Sequence, residues 1–191
     1  TLPKNVAAER ADRRLDLLRQ MNAHHAGESD DPMLEAVDRS YVAAKHFMQS
    51  PALAAFDLDT ESAKVREAYG DTEFGRGCLL ARRLVEHGVR FVQVAMGGFD
   101  THSNNFPTMR ERGETIDPAA ASLIGDLAAS GKLEKTLVLM MSEFGRTPRV
   151  NAGGGRDHHP GVWSVLMAGG GMKGGALIGA SDADGYHPAE R

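Results

Sequence analysis

The sequence predicts an α/β protein, a single domain over residues 1–191 with a mainly helical part (1–88) and a parallel βαβ core (89–191). Three observations predict it. The first half carries apolar residues at helical spacing. The second half holds two short, apolar, β-rich runs, Val89–Met96 and Leu137–Met141, separated by a helical region. Each run stops abruptly at glycine or charge, which is where α/β sheets place ligands.

In chain order, residues 4–25 read as a helix. Ala11, Leu15, Leu18 and Asn22 form one face beside Leu17 and Met21, with charges opposite. Gly27 to Asp31 breaks the pattern, and Asp31-Pro32 then offers an N-cap followed by proline in the first turn. Leu34, Val37, Tyr41, Ala44 and Met48 make the apolar stripe of a second helix, for which core packing is the default role, and Ser50-Pro51 ends it. A short segment at 53–56 and a helix at 60–69, closed by Gly70, come next. A stronger helix spans 74–87, with Phe74, Cys78, Ala81 and Val85 on one face and Gly88 at its end. The single cysteine, Cys78, lies among Leu79, Leu80 and Ala81 and reads as a buried, inert thiol.

Residues 89–96 have the composition of a strand buried on both faces. A helical region from 106 to 130 follows, with Leu123, Ile124 and Leu127 as anchors, Asp117-Pro118 as a fresh start or kink, and Gly131 as the cap. The strand at 137–141 completes a βαβ unit, expected parallel and right-handed. Parallel neighbours would bring Asp100 and His102, after the first strand, to the same sheet edge as Ser142 and Glu143, after the second. Val162–Ala168 reads as a further strand, and the glycine-rich tail from Gly169 to Gly179 as a hairpin.

Composition excludes several classes. The chain is 41% hydrophobic and 25% charged, with a net charge of -4 and no basic block, so a nucleic-acid or anionic-membrane surface is not indicated. No apolar run reaches the roughly 18 residues of a membrane span. No nucleophile elbow, dinucleotide fingerprint or phosphate loop is present; Gly169–Gly175 lacks the required spacing and is turn chemistry.

The candidate chemistry lies in two stretches. Asp100-Thr101-His102 puts a carboxylate and an imidazole two residues apart, on one side of an extended backbone. The long stretch from Ser142 to Pro160 holds Glu143, Arg146, Arg149, three glycines, Arg156, Asp157, His158 and His159. Adjacent histidines in extended chain face opposite ways, so one of His158 and His159 points inward. Glu143 is either a metal ligand or general base, with Arg146 contacting an anion, or it pairs with Arg146 to hold the loop. Mixed nitrogen and oxygen donors favour zinc first, then manganese or iron, over calcium.

The sequences Gly98-Phe99-Asp100-Thr101-His102-Ser103-Asn104-Asn105, Glu143-Phe144-Gly145-Arg146-Thr147-Pro148 and Gly155-Arg156-Asp157-His158-His159-Pro160, followed by the Gly169–Gly175 run, resemble a large bacterial family. It is the domain-of-unknown-function family numbered fifteen-oh-one, grouped with the alkaline phosphatase and sulfatase superfamily. The resemblance covers about residues 1–190 and is specific from Arg90 onward. It implies a three-layer α/β/α sandwich, alkaline-phosphatase-like, with a largely parallel sheet, here incomplete at the amino-terminal side where the nucleophile is expected. It also implies a periplasmic or exported protein and a metal-dependent sulfatase- or phosphatase-like hydrolase. The substrate would be a small-molecule or glycan anionic ester. Asp100, His102, Glu143, Asp157 and His158 or His159 would line the divalent-metal site, and Arg146 and Arg156 would neutralise the ester. Phe144 stands where the superfamily has a ligating histidine. That departure favours the alternative, a non-catalytic binding or scaffolding module.

Overall fold

The structure, a computed structural model, describes residues 7–26 and 32–190. Lys4 and the break at Gly27–Asp31, including the Asp31 cap, lie outside the described residues. The chain forms two compact units, Thr1–Asp57 and Leu58–Arg191. None of the described helices is long and apolar enough to cross a membrane.

The first unit pairs α1 (Ala8–Ala26) with α2 (Pro32–Gln49). Charges link them: Lys45 Nζ lies 2.9 Å from Asp12 Oδ1. The predicted stripe on α2 is only partly used, since Val37, Tyr41 and Met48 remain exposed. A helix pair has one seam, and a stripe wider than that seam faces outward. Ser50 caps the following 3₁₀ turn, Pro51–Phe56, by accepting from the Ala52 N–H.

The second unit is built on three helices: α3 (Ala63–Tyr69), α4 (Glu73–Glu86) and α5 (Asn105–Ala129). Tyr69, Cys78, Leu79 and Ala119 form its buried cluster, with Val65, Phe74, Val94 and Leu123 against it. Burial pushes the Cys78 thiol up to about 11, so it stays protonated and unreactive at neutral pH. The Tyr69 hydroxyl donates to Asp126 Oδ2 at 2.9 Å and ties α3 to α5. Arg82 and Arg83 both reach Glu61 at 2.6 Å. Helix α5 runs through Pro118 without interruption.

Helix α4 starts where the Thr72 hydroxyl accepts from the Gly75 N–H at 3.0 Å. Removing that acceptor with Thr72→Ala is expected to destabilise this unit by about 0.5–2 kcal/mol, read as a lower midpoint in urea with unchanged slope. Thr72→Ser should retain the stability.

The expected sandwich does not form. Among the described residues the strands make three two-stranded antiparallel ladders and no parallel sheet. Strand β1 (Leu137–Met140) pairs with β4 (Leu166–Gly169), Leu137 opposite Gly169 and Met140 opposite Leu166. Two-residue strands β2 (Gly145–Arg146) and β3 (His158–His159) pair with each other, as do β5 (Ala180–Ser181) and β6 (Pro188–Glu190). The run at 89–96 forms no regular secondary structure and joins no ladder. Strand composition only favours an extended backbone, while a ladder also needs a neighbour with free N–H and C=O groups. Here Val94 packs into the helical cluster over Gly77, where an added Cβ would meet its side chain, and Phe91 is left 82% exposed. The βαβ core expected for 89–191 is therefore replaced by a helical core with an antiparallel ribbon. The tail hairpin also shifts: the glycine run is turn, and the ladder forms later, at β5 and β6.

Candidate metal centre

Since the described residues form no parallel sheet, Asp100 and His102 reach the Ser142–Pro160 stretch by another route. Residues 101–105 lie antiparallel against 153–156. The Arg156 N–H donates to Thr101 O at 3.0 Å, the Asn104 N–H to Gly153 O at 3.2 Å and the Asn105 N–H to Gly154 O at 3.1 Å, around a bridge between Ser103 and Gly154. Gly155 is buried in this clasp, flat against the His102–Ser103 peptide. Asn104 holds a left-handed conformation, φ 51°, at the turn into α5. A left-handed residue there is tolerated best as asparagine or glycine. The Thr101 hydroxyl donates to the buried Asn105 side chain at 2.6 Å and fixes the same corner.

Asn151 ties the loop together, a role that the sequence reading missed. Its Oδ1 accepts from the N–H groups of Gly153 and Gly155, both at 3.0 Å. Its Nδ2 donates to His102 O at 3.0 Å and to Asp157 Oδ1 at 3.2 Å. An asparagine two residues before a glycine run is an Asx-turn signal, which could have found it.

On β3 the alternation of side chains separates the two histidines. His159 turns to Tyr186, its Nε2 2.7 Å from Tyr186 O, and anchors the tail. His158 turns the other way. Its Nε2 stands 2.7 Å from Asp100 Oδ1 and 3.2 Å from His102 Nε2, and His102 Nε2 stands 3.0 Å from the same Asp100 oxygen. Asp100, His102 and His158 are, among the described residues, a group able to share one metal ion.

The proton positions matter here. His102 Nδ1 lies 2.7 Å from Asp157 Oδ1. An ionised carboxylate only accepts, so Nδ1 donates its proton to Asp157, which leaves Nε2 as the nitrogen that a metal ion could take. Nε2 faces an oxygen of Asp100, with the Nε2 of His158 beside it. Without an ion, an imidazole proton and the Arg146 guanidinium serve that oxygen; a metal ion could take the place of the proton. Donors around an ion bound at about 2.0–2.2 Å stand about 2.8–3.6 Å apart; the 3.0 and 3.2 Å distances fall within that range and the 2.7 Å distance lies just below it. The side chains are 68%, 49% and 48% exposed for Asp100, His102 and His158, leaving the outer side of such an ion open to water or substrate.

The remaining predicted residues are placed differently. Asp157 sits behind the His102 ring, on the nitrogen away from the cluster. Arg146, opposite His158 in the β2–β3 ladder, donates through Nη2 to Asp100 Oδ1 and to Phe99 O, both at 2.8 Å, and through Nη1 to Arg156 O at 3.2 Å. Arg156 Nη1 donates to the carbonyls of Thr147 and Pro148 at 2.8 and 2.7 Å, with the guanidinium 5.7 Å from the Phe106 ring centre. Phe144 packs on His158, ring centres 4.5 Å apart. Glu143 is exposed in the bend between β1 and β2, outside the three-residue group.

Hydrogen bonds from His158 and then Arg146 hold the Asp100 carboxyl down at about 2. The His102 hydrogen bond lowers Asp157 in the same direction. A carboxyl whose folded pKa lies below its unfolded value, about 3.9, adds stability above that value and loses it as pH falls through the folded one. Unfolding midpoints of metal-free protein should therefore drop as pH falls from about 4 to about 2. Asp100→Asn should make that acid limb shallower.

No curated protein and no solved structure matches the chain. One family model does, over residues 1–191, and by that match the chain belongs to the family described as protein of unknown function (DUF1501).

Proposed function

We propose that this chain holds a single divalent transition-metal ion on Asp100, His102 and His158, and that the site serves hydrolysis of an anionic ester. The observation that carries the metal is the meeting of one carboxylate oxygen and two Nε2 atoms within 3.2 Å of one another. Two nitrogens and one oxygen suit zinc, manganese or iron, and three protein ligands with an open position is the catalytic rather than the structural pattern. A bound ion would polarise an ester oxygen as a Lewis acid. Asp100, held by Arg146, fixes the ligand oxygen, and the β2–β3 ladder fixes His158. The ester substrate rests on the resemblance of the three motifs to a family grouped with the alkaline phosphatase and sulfatase superfamily.

The direct test is metal analysis of chelator-treated and reloaded protein, followed by a panel of aryl sulfate and aryl phosphate esters. Stoichiometric metal and turnover lost in Asp100→Ala and His102→Ala support the reading. Substoichiometric metal under every loading condition defeats it.

A second reading has its own observation. Arg146 and Arg156 are committed to backbone carbonyls and Asp100, which leaves them poorly placed to neutralise a substrate. On that reading the ion cross-links the two loops of a non-catalytic binding module. Stoichiometric metal with no turnover on any ester of the panel would favour it.

A further inference from the structure

We propose that Asp157 is a positioning residue, not a ligand: it fixes the proton of His102 on Nδ1 and so aims the Nε2 lone pair at Asp100 and His158, while Asn151 holds Asp157 in place. The inference rests on the metal reading above. The geometry carries it. His102 Nδ1 and Nε2 are on opposite sides of the ring; Asp157 Oδ1 occupies the first at 2.7 Å, and the cluster occupies the second. One imidazole cannot turn both nitrogens to one ion, so an Asp157 bonded at Nδ1 stands a ring's width from the other donors.

Asp157 is itself held from three sides. Asn151 Nδ2 donates to the same oxygen at 3.2 Å, the Asp157 N–H donates to Thr147 Oγ1 at 3.1 Å, and the Asp157 carbonyl accepts from the Thr147 N–H at 2.9 Å. Asn151 Nδ2 also donates to His102 O, so one amide registers both the carboxylate and the backbone of the imidazole it orients. A carboxylate behind a ligating histidine sets its tautomer and raises its basicity, and losing such a partner typically costs about 10–100-fold in metal affinity. Asp157 and His158 are consecutive, so adjacent residues supply the orienting group and the second imidazole to the two nitrogens of one ring.

Two measurements on the full chain test this. The first is ¹⁵N NMR of histidine-labelled, metal-free protein. Wild type should show His102 protonated at Nδ1, and Asp157→Ala should shift the proton toward Nε2; Asp157→Asn, which keeps an acceptor oxygen, should lie between. The second is titration with Co²⁺ alone, following the visible absorption of the ion. Asp157→Ala should bind about 10–100-fold more weakly than wild type while retaining one site and the wild-type band positions, because the ligand set is unchanged. Changed band positions would make Asp157 a ligand and overturn the proposal. So would unchanged affinity together with an unchanged tautomer. If wild type takes up no Co²⁺, the metal reading falls and this one with it, whereas normal wild-type binding with an unaffected Asp157→Ala removes only the present inference.

Discussion

Gly155→Ala is expected to dismantle the site without touching any of its ligands. An added Cβ at 155 would land on the carbonyl carbon and oxygen of His102 and on the Ser103 nitrogen. These are backbone atoms, so no rotamer change can make room. Either the 153–156 strand lifts away from 101–105, losing the Arg156–Thr101 and Asn104–Gly153 hydrogen bonds, or the His102 backbone moves. Both outcomes shift His102 relative to His158. Overpacking of this kind costs about 1–3 kcal/mol, occasionally more. Metal affinity should fall by more than about tenfold, since it depends on the orientation that the surrounding shell imposes. Gly154→Ala is the control. Its φ of 69° makes substitution strained, but a Cβ there meets nothing within 4 Å. It should lower stability while leaving the position of His102 nearly unchanged. Equal metal affinity in wild type and Gly155→Ala would mean that the clasp does not position the site.

His102→Ala and His158→Ala are expected to reduce affinity for zinc by more than about 100-fold each, a larger loss than that of an outer partner. His159→Ala should leave the affinity near that of wild type, because its ring faces Tyr186. The contrast between two adjacent histidines is sharp because a strand alternates its faces. Zinc should also stabilise the wild-type fold, by about 2.7 kcal/mol at a hundredfold excess over Kd, and by less than about 0.4 kcal/mol for His158→Ala at the same concentration. Protons compete with the ion for both imidazoles, so affinity should decline on acidification. Calorimetric titration and thermal melts with and without zinc give both readouts. Similar losses in His158→Ala and His159→Ala would contradict the assignment of the inward ring.

Much of the helical architecture is legible in the sequence. Ser62 and Thr72 cap the helices whose apolar faces hold Val65 and Cys78, and Gly70 and Gly88 end them with positive φ. Capping and periodicity are local, so a single sequence records them. The sheet is not local. Val89–Met96 and Leu137–Met141 have the same strand-like composition, and nothing in either says which segment will pair with which. The parallel pairing inferred from their order is wrong: β1 takes β4, and the first run packs Val94 against helices. The sequence expects Asp100 and His102 to share a site with Glu143, Asp157 and one of His158 and His159; the structure groups them with His158 and leaves Glu143 outside. A backbone clasp at Gly153–Arg156 replaces the sheet edge. The glycines were visible as a loop, but the buried contact of Gly155 with His102 depends on tertiary approach. The roles of Arg146, Arg156 and Asp157 follow from the same gap. Charge in a loop reads alike whether it faces substrate, backbone or another side chain.

The most direct measurement is an anomalous difference map collected at the zinc edge from crystals grown with zinc. One peak bonded to Asp100 Oδ1, His102 Nε2 and His158 Nε2 at about 2.0–2.2 Å is the expected result. Zinc bound elsewhere on the chain, with the two imidazoles still hydrogen-bonded around Asp100 and no density between them, would contradict it.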